Sequence, residues 1–147
     1  MMKSIAIILL VGQSFYLFGQ SASNTESRDE NDVYYQALEF YLDKNNMIEE
    51  VFIEQNSITS LGMPLKIGGR EIILLSNEGI IKKAKKGEFI LHRIIPLRFE
   101  DGKFYINIIP YRANCKRRNL DLKNQGGEKI QFEYNCKIEK LVLTASN

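Results

Sequence analysis

The chain has 147 residues, of which 44% are hydrophobic and 26% are charged, with 20 Lys and Arg against 18 Asp and Glu. This composition excludes an intrinsically disordered chain, a collagen-like repeat and a multi-pass membrane protein, and the length suits one domain with one core. The sequence holds one histidine, His92, which excludes several common enzyme designs.

Residues 1–23 predict a secretory signal peptide. Lys3 supplies a positive charge, the apolar stretch ends at Phe18, and small residues occupy positions 21–23. The apolar stretch is shorter than the ~20 residues that span a bilayer. Cleavage after Gln20 and cleavage after Ser23 both fit, and an uncleaved anchor or a buried helix is the alternative. We therefore expect a secreted or periplasmic protein with no membrane span in the mature chain.

The mature chain begins with a polar stretch, residues 24–31, that predicts a flexible leader. A single domain over residues 32–147 follows it. An amphipathic helix is predicted over residues 32–44, because Tyr34, Ala37, Leu38, Tyr41 and Leu42 recur at helical spacing. Such a stripe is typical of core contacts.

The next segment combines short strands with a second helix. Residues 47–55 and 71–75 predict strands, and the stretch between them, 56–70, is rich in Gly and Pro and predicts a loop. Residues 77–86 predict a short helix that Ser76 or Asn77 caps.

A β-hairpin is predicted around Asp101-Gly102, with strands over residues 88–100 and 103–111. A two-residue turn sets Phe99 opposite Phe104, Leu97 opposite Ile106, and Ile95 opposite Ile108. All three pairs are apolar and share one face, so the turn and the hydrophobic pattern agree on one register.

The second face of the hairpin mixes apolar, aromatic and basic side chains. A sheet face turned to water normally shows a cleaner polar alternation. We therefore expect the helix, a second copy of the chain or a ligand to cover it. The candidate binding residues on this face are His92, Ile94, Arg98, Tyr105, Ile109 and Tyr111.

Residues 114–128 predict either a long loop or the far end of a second hairpin, and residues 129–145 predict a long last strand. The expected fold class is α+β, with the N-terminal amphipathic helix packed on a curved, mainly antiparallel sheet of four to five strands.

The two cysteines predict a disulfide between Cys115 and Cys136, because an exported protein meets oxidising conditions. A turn at Gln125-Gly126 sets the two residues opposite each other. Their faces disagree unless a β-bulge near Pro110 changes the alternation. The alternative is two buried thiols or a surface thiol pair.

Two basic clusters, residues 82–86 and 116–118, are the remaining charged motif. The near-zero net charge and the predicted export argue against a nucleic-acid partner. The clusters are either solvated faces or a local contact with an acidic glycan, a lipid headgroup or a protein.

No arrangement of residues in the sequence predicts catalysis, a metal or another cofactor. We expect a non-catalytic binding or interaction module, whose partner is an unknown protein or a second copy of the chain. The alternative is a small hydrolase or ligand-pocket protein that uses carboxylates and His92.

Overall fold

The computed structural model describes residue 30 and residues 32–46, 50–117 and 119–146. The predicted signal peptide and most of the predicted leader lie outside these residues. Strands make up 52% and helices 18% of the described part. No helix within it is long and apolar enough to cross a membrane.

The described elements are two helices and eight strands. In chain order they are α1 (Val33–Lys44), β1 (Val51–Glu54), β2 (Lys66–Ile67), β3 (Arg70–Leu75), α2 (Asn77–Ala84), β4 (Phe89–Glu100), β5 (Lys103–Lys116), β6 (Asn119–Asn124), β7 (Glu128–Asn135) and β8 (Lys140–Ser146).

All eight strands belong to one mixed sheet in the order β2-β3-β1-β4-β5-β7-β8, and β6 pairs with β5 beside that path. Strand β1 is parallel to both β3 and β4, whereas the other pairs are antiparallel. The predicted sheet of four to five strands is therefore wrong, because the sheet is mixed and has eight strands. Most of its strand pairs are antiparallel, which agrees with the predicted α+β class.

Two stretches contain more strands than the sequence predicts. Residues 114–128, which predict a loop or the far end of a hairpin, contain β6, and β6 pairs with the second half of β5. The predicted single last strand is broken by a turn at residues 136–139, in which Glu139 adopts a φ of 52°. This turn separates β7 from β8.

Helix α1 covers one face of the sheet. Its N-cap residue Asp32 accepts hydrogen bonds from the backbone N–H groups of Tyr34 and Tyr35. The buried side chains that the helical spacing predicted, such as Leu38 and Leu42, pack in the main core with residues of β1, β4, β5 and β7. The prediction of an amphipathic helix at this position is confirmed.

Helix α2 lies on the opposite face but covers only one end of it. Its buried residues Ile80 and Ala84 are 2% exposed, and Ile80 packs in a smaller cluster with Leu91 of β4 and Ala113 of β5. We call the part of this face that extends beyond α2 the open face. It is formed by Arg93, Ile95, Arg98, Tyr105, Asn107, Ile109 and Tyr111.

The β4–β5 hairpin forms with the predicted turn, since Asp101 and Gly102 both have positive φ and Phe99 pairs with Phe104. Beyond the first pairs the register shifts at a bulge between Ile95 and Arg98. Ile94, and not Ile95, is therefore opposite Ile108. The bulge contains Pro96, which has no N–H to give to the strand ladder.

Candidate functional site

The structure divides the six candidate binding residues between the two faces of the sheet. Arg98, Tyr105, Ile109 and Tyr111 lie on the open face, whereas His92 and Ile94 lie under α1 and are each 1% exposed. The bulge at Pro96 is the reason, because two residues of β4 there oppose one residue of β5 and the alternation of faces changes.

His92 is held within the core by two neighbours. Its Nδ1 lies 3.2 Å from the backbone oxygen of Phe52, to which it donates a hydrogen bond, and its ring meets that of Tyr41 edge-on at 5.6 Å. Burial lowers the pKa of His92, and the bond to Phe52 opposes this effect only in part. Substrate does not reach this ring, so the hydrolase alternative loses its proposed histidine.

Cations lie over the tyrosine rings of the open face. Lys129 Nζ is 3.7 Å from the centre of the Tyr105 ring, and the Arg93 guanidinium carbon is 4.9 Å from that of Tyr111. Arg93 also forms a two-point ion pair with Glu54, with Nη2 donating to Oε1 at 3.1 Å and Nε donating to Oε2. These contacts hold Arg93 and Lys129 against their neighbours on the open face.

A cavity of about 270 Å³ opens where β5 changes its neighbour strand. The first half of β5 pairs with β7 as far as Ile108, and the second half pairs with β6 from Tyr111 onward. We call this space the strand-gap cavity. Its lining residues are Asn107, Ile109, Asn124 and the run Gly126–Lys129.

Gly127 allows the two strands to separate at this point while the chain stays close to β5. A Cβ atom on Gly127 would lie 3.2 Å from Ile109 Cγ1 and 3.4 Å from the Ile108 oxygen. The absence of a side chain therefore leaves the mouth of the strand-gap cavity open, with backbone groups at its rim.

Asn107 lines the cavity and has an unpaired polar atom in its side chain. Its Oδ1 is buried and has no hydrogen-bond partner among the residues that the structure describes. Leaving a buried amide unpaired costs about 1–3 kcal/mol, so a ligand that supplies the missing bond recovers part of that free energy.

The charges around the strand-gap cavity are already balanced by neighbours. Lys129 Nζ is 3.0 Å from Glu100 Oε2. On the α1 side, Lys44 Nζ is 2.7 Å from Glu128 Oε1, and the Asn45 amide donates to the same carboxylate at 3.3 Å. The cavity thus offers amide and aliphatic groups with little net charge.

The sequence did not point to Asn107, Gly127 or Lys129 as site residues. The sequence predicts a turn at Gln125-Gly126, and only the pairing of β5 with two strands shows that this segment borders a cavity. An asparagine in the middle of a strand was the available signal, because Asn is depleted in strands.

The predicted disulfide does not form, and Cys115 and Cys136 are both free. Cys115 is opposite Leu120 near the end of β5, whereas Cys136 follows β7, which pairs with the beginning of β5. At the usual rise of a strand, the two cysteines are separated by roughly 50 Å along the sheet. The bulge lies at Pro96 and not near Pro110, so it does not bring them together.

No group of three or more His, Cys, Asp or Glu side chains in the described ranges is placed to hold a metal ion. No protein-family model, curated protein or solved structure matches the chain. The functional inference therefore depends on the geometry of the chain itself.

Proposed function

We propose that the protein is an exported, non-catalytic binding protein that takes a neutral sugar unit into the strand-gap cavity of its open face. The observation that carries the proposal is the buried, unpaired amide oxygen of Asn107 in the lining of a 270 Å³ cavity. A buried polar atom without a partner is unusual in a folded protein, and a ligand-binding role accounts for it.

The chemistry of the lining favours a sugar over other small molecules. A hydroxyl group both donates and accepts hydrogen bonds, so it satisfies the Asn107 amide in either orientation of its oxygen and nitrogen. Ile109 offers an apolar surface to ring C–H groups, and the glycine backbone at the rim offers polar groups to further hydroxyls. The paired charges at Lys129 and Glu128 disfavour an ionic ligand.

Export is the second part of the proposal, and it is supported by the charged start, the short apolar stretch and the small residues at positions 21–23. A secreted or periplasmic location follows from it. The intact mass of the protein recovered from outside the cytoplasm should correspond to a chain that begins at Ser21 or Asn24. A mass that retains residues 1–20 would contradict export.

Calorimetric titration of the exported protein with glucose, galactose, mannose and N-acetylglucosamine tests the sugar site. We expect one of them to bind with a dissociation constant of about 1 mM, which is a free energy of about −4 kcal/mol. Asn107→Leu should weaken that binding about tenfold, because it removes the amide that the sugar pairs with.

Asn114→Leu is the matched control, since Asn114 is in the same strand but is already paired. Its Oδ1 accepts a hydrogen bond from the backbone N–H of Cys115, 2.7 Å away. The control variant should bind as the unchanged protein does. Equal loss in both variants, or no heat of binding with any of the four sugars, would contradict the proposed site.

A further inference from the structure

The topology brings the two basic clusters of the sequence to one end of the molecule. Lys83, at the end of α2, has its Nζ 3.7 Å from the Phe52 ring and 5.3 Å from the Phe89 ring. Phe89 begins β4 and pairs with Ala113 in β5. The β5–β6 hairpin, with Lys116 and Arg117 at its tip, projects past this pair. We call residues 82–88, 112–117 and 119–123 the basic end.

The basic end holds a large share of the positive charge. Among its described residues, eight cations face two carboxylates, Glu88 and Asp121. The other described residues hold nine cations against thirteen carboxylates. The formal net charge of +2 for the whole chain therefore conceals a strongly positive end on an otherwise acidic body.

The internal ion pairs leave most of this charge uncompensated. Arg112 Nε is 3.5 Å from Glu88 Oε1, and Lys116 Nζ is 3.3 Å from Asp121 Oδ2. Arg112 also stands directly opposite Lys123 in the β5–β6 pair. Like charges in directly opposed positions destabilise a strand pair, so an anion bound at this end would relieve a repulsion that the fold maintains.

We infer that the basic end binds an acidic polysaccharide. A linear polyanion matches cations that are spread from α2 to the hairpin tip, and a short run rich in Lys, such as residues 82–86, is typical of surfaces that bind sulfated glycans or nucleic acids. The proposed export places the glycan, and not the nucleic acid, within reach. No exposed large apolar side chain lies among the described residues of the basic end, and Ile81 borders it, which disfavours insertion into a membrane.

This inference concerns a surface other than the sugar site, so either can fail without the other. Surface plasmon resonance on immobilised heparin measures it with the exported protein. The variant in which Lys82, Lys85 and Lys86 are changed to Gln should bind heparin about tenfold more weakly at low salt. A plot of the logarithm of its binding constant against the logarithm of salt concentration should be less steep, by about the number of lost contacts. Lys83 is retained because it packs on Phe52.

A second variant, Arg117→Gln with Lys123→Gln, tests whether the hairpin shares the site with α2. We expect it to weaken heparin binding several-fold as well. The charge-matched control changes Lys66, Lys137 and Lys140 to Gln, three exposed residues outside the basic end. This control should bind heparin within about twofold of the unchanged protein.

Three results would overturn the inference. One is an equal loss of heparin binding in the control and in the α2 variant, which would indicate a response to net charge alone. Another is a hairpin variant that binds as tightly as the unchanged protein, which would separate the two clusters. The third is tighter binding to duplex DNA or to vesicles of anionic lipid than to heparin, which would replace the polysaccharide with another polyanion.

Discussion

At the scale of single residues, His92 shows how burial decides the chemistry of a side chain. Its ring is packed against Tyr41 and bonded to the Phe52 carbonyl, and its Nε2 has no hydrogen-bond partner within the described part of the chain. Protonation would place a positive charge on that buried nitrogen. The neutral ring is therefore the form that the fold stabilises, and burial lowers the pKa of His92 below its ordinary value of 6.5.

This pKa shift predicts a loss of stability in mild acid. Below pH 6.5 the unfolded chain takes up a proton that the folded chain resists, so the free energy of unfolding falls as the pH drops through that value. Above it the stabilisation is fully present. Urea unfolding at several pH values between about 5 and 7 measures the effect, in the window where histidine titrates.

His92→Phe is the variant that isolates the histidine, because it keeps an aromatic ring beside Tyr41 and removes the titrating nitrogen. We expect a flatter dependence of stability on pH over the same range. A slope as steep as that of the unchanged protein would show that another group causes the acid sensitivity.

At the scale of elements, the division of β5 between two neighbour strands creates the strand-gap cavity. Gly127 lies at the point of division, where a Cβ atom would be 3.2 Å from Ile109 Cγ1. A methyl group there must displace either Ile109 or the connecting segment that contains Gly127. Gly127 therefore allows the close approach to β5 and also lies at the rim of the strand-gap cavity.

Gly127→Ala should cost about 1 kcal/mol of unfolding free energy, because it overpacks the contact with Ile109. It should also reduce sugar binding, since the displaced segment is the rim of the cavity. Gly87→Ala is the control, because a Cβ on Gly87 would meet nothing within 4 Å. Thermal unfolding of both variants measures the difference, and an equal stability of the two would show that the close approach at Gly127 is not a constraint.

The elements that depend on local chemistry could be predicted from the sequence. Ser76 caps α2, and Asp101-Gly102 sets the tip of the β4–β5 hairpin, because each acts on residues next to it. The parallel pairs of β1 and the use of both β6 and β7 beside β5 depend on distant segments. No local pattern encodes such pairings, so the sequence predicts too few strands for the sheet.

The candidate site was predictable only in part for the same reason. Tyr105 and Arg98 are close to the hairpin tip and lie on the face that the register assigned to them. His92 and Ile94 lie beyond the bulge, where one extra residue in β4 reverses the assignment. A proline inside a predicted strand was the available warning, because it cannot donate to a ladder and is often found at a bulge.

At the scale of the whole molecule, two surfaces of different chemistry are presented by one sheet. The open face offers a nearly neutral cavity with an unsatisfied amide, and the basic end offers an excess of cations.

The most direct test of the sugar site is a nuclear magnetic resonance titration of the exported, ¹⁵N-labelled protein with the sugar that binds best. We expect the largest shift changes at the Asn107 side-chain amide and at the backbone amides of Ile109, Gly126 and Gly127. The basic end should remain unchanged with a neutral sugar. Shift changes confined to the basic end, or none at a sugar concentration well above about 1 mM, would contradict the proposed sugar site.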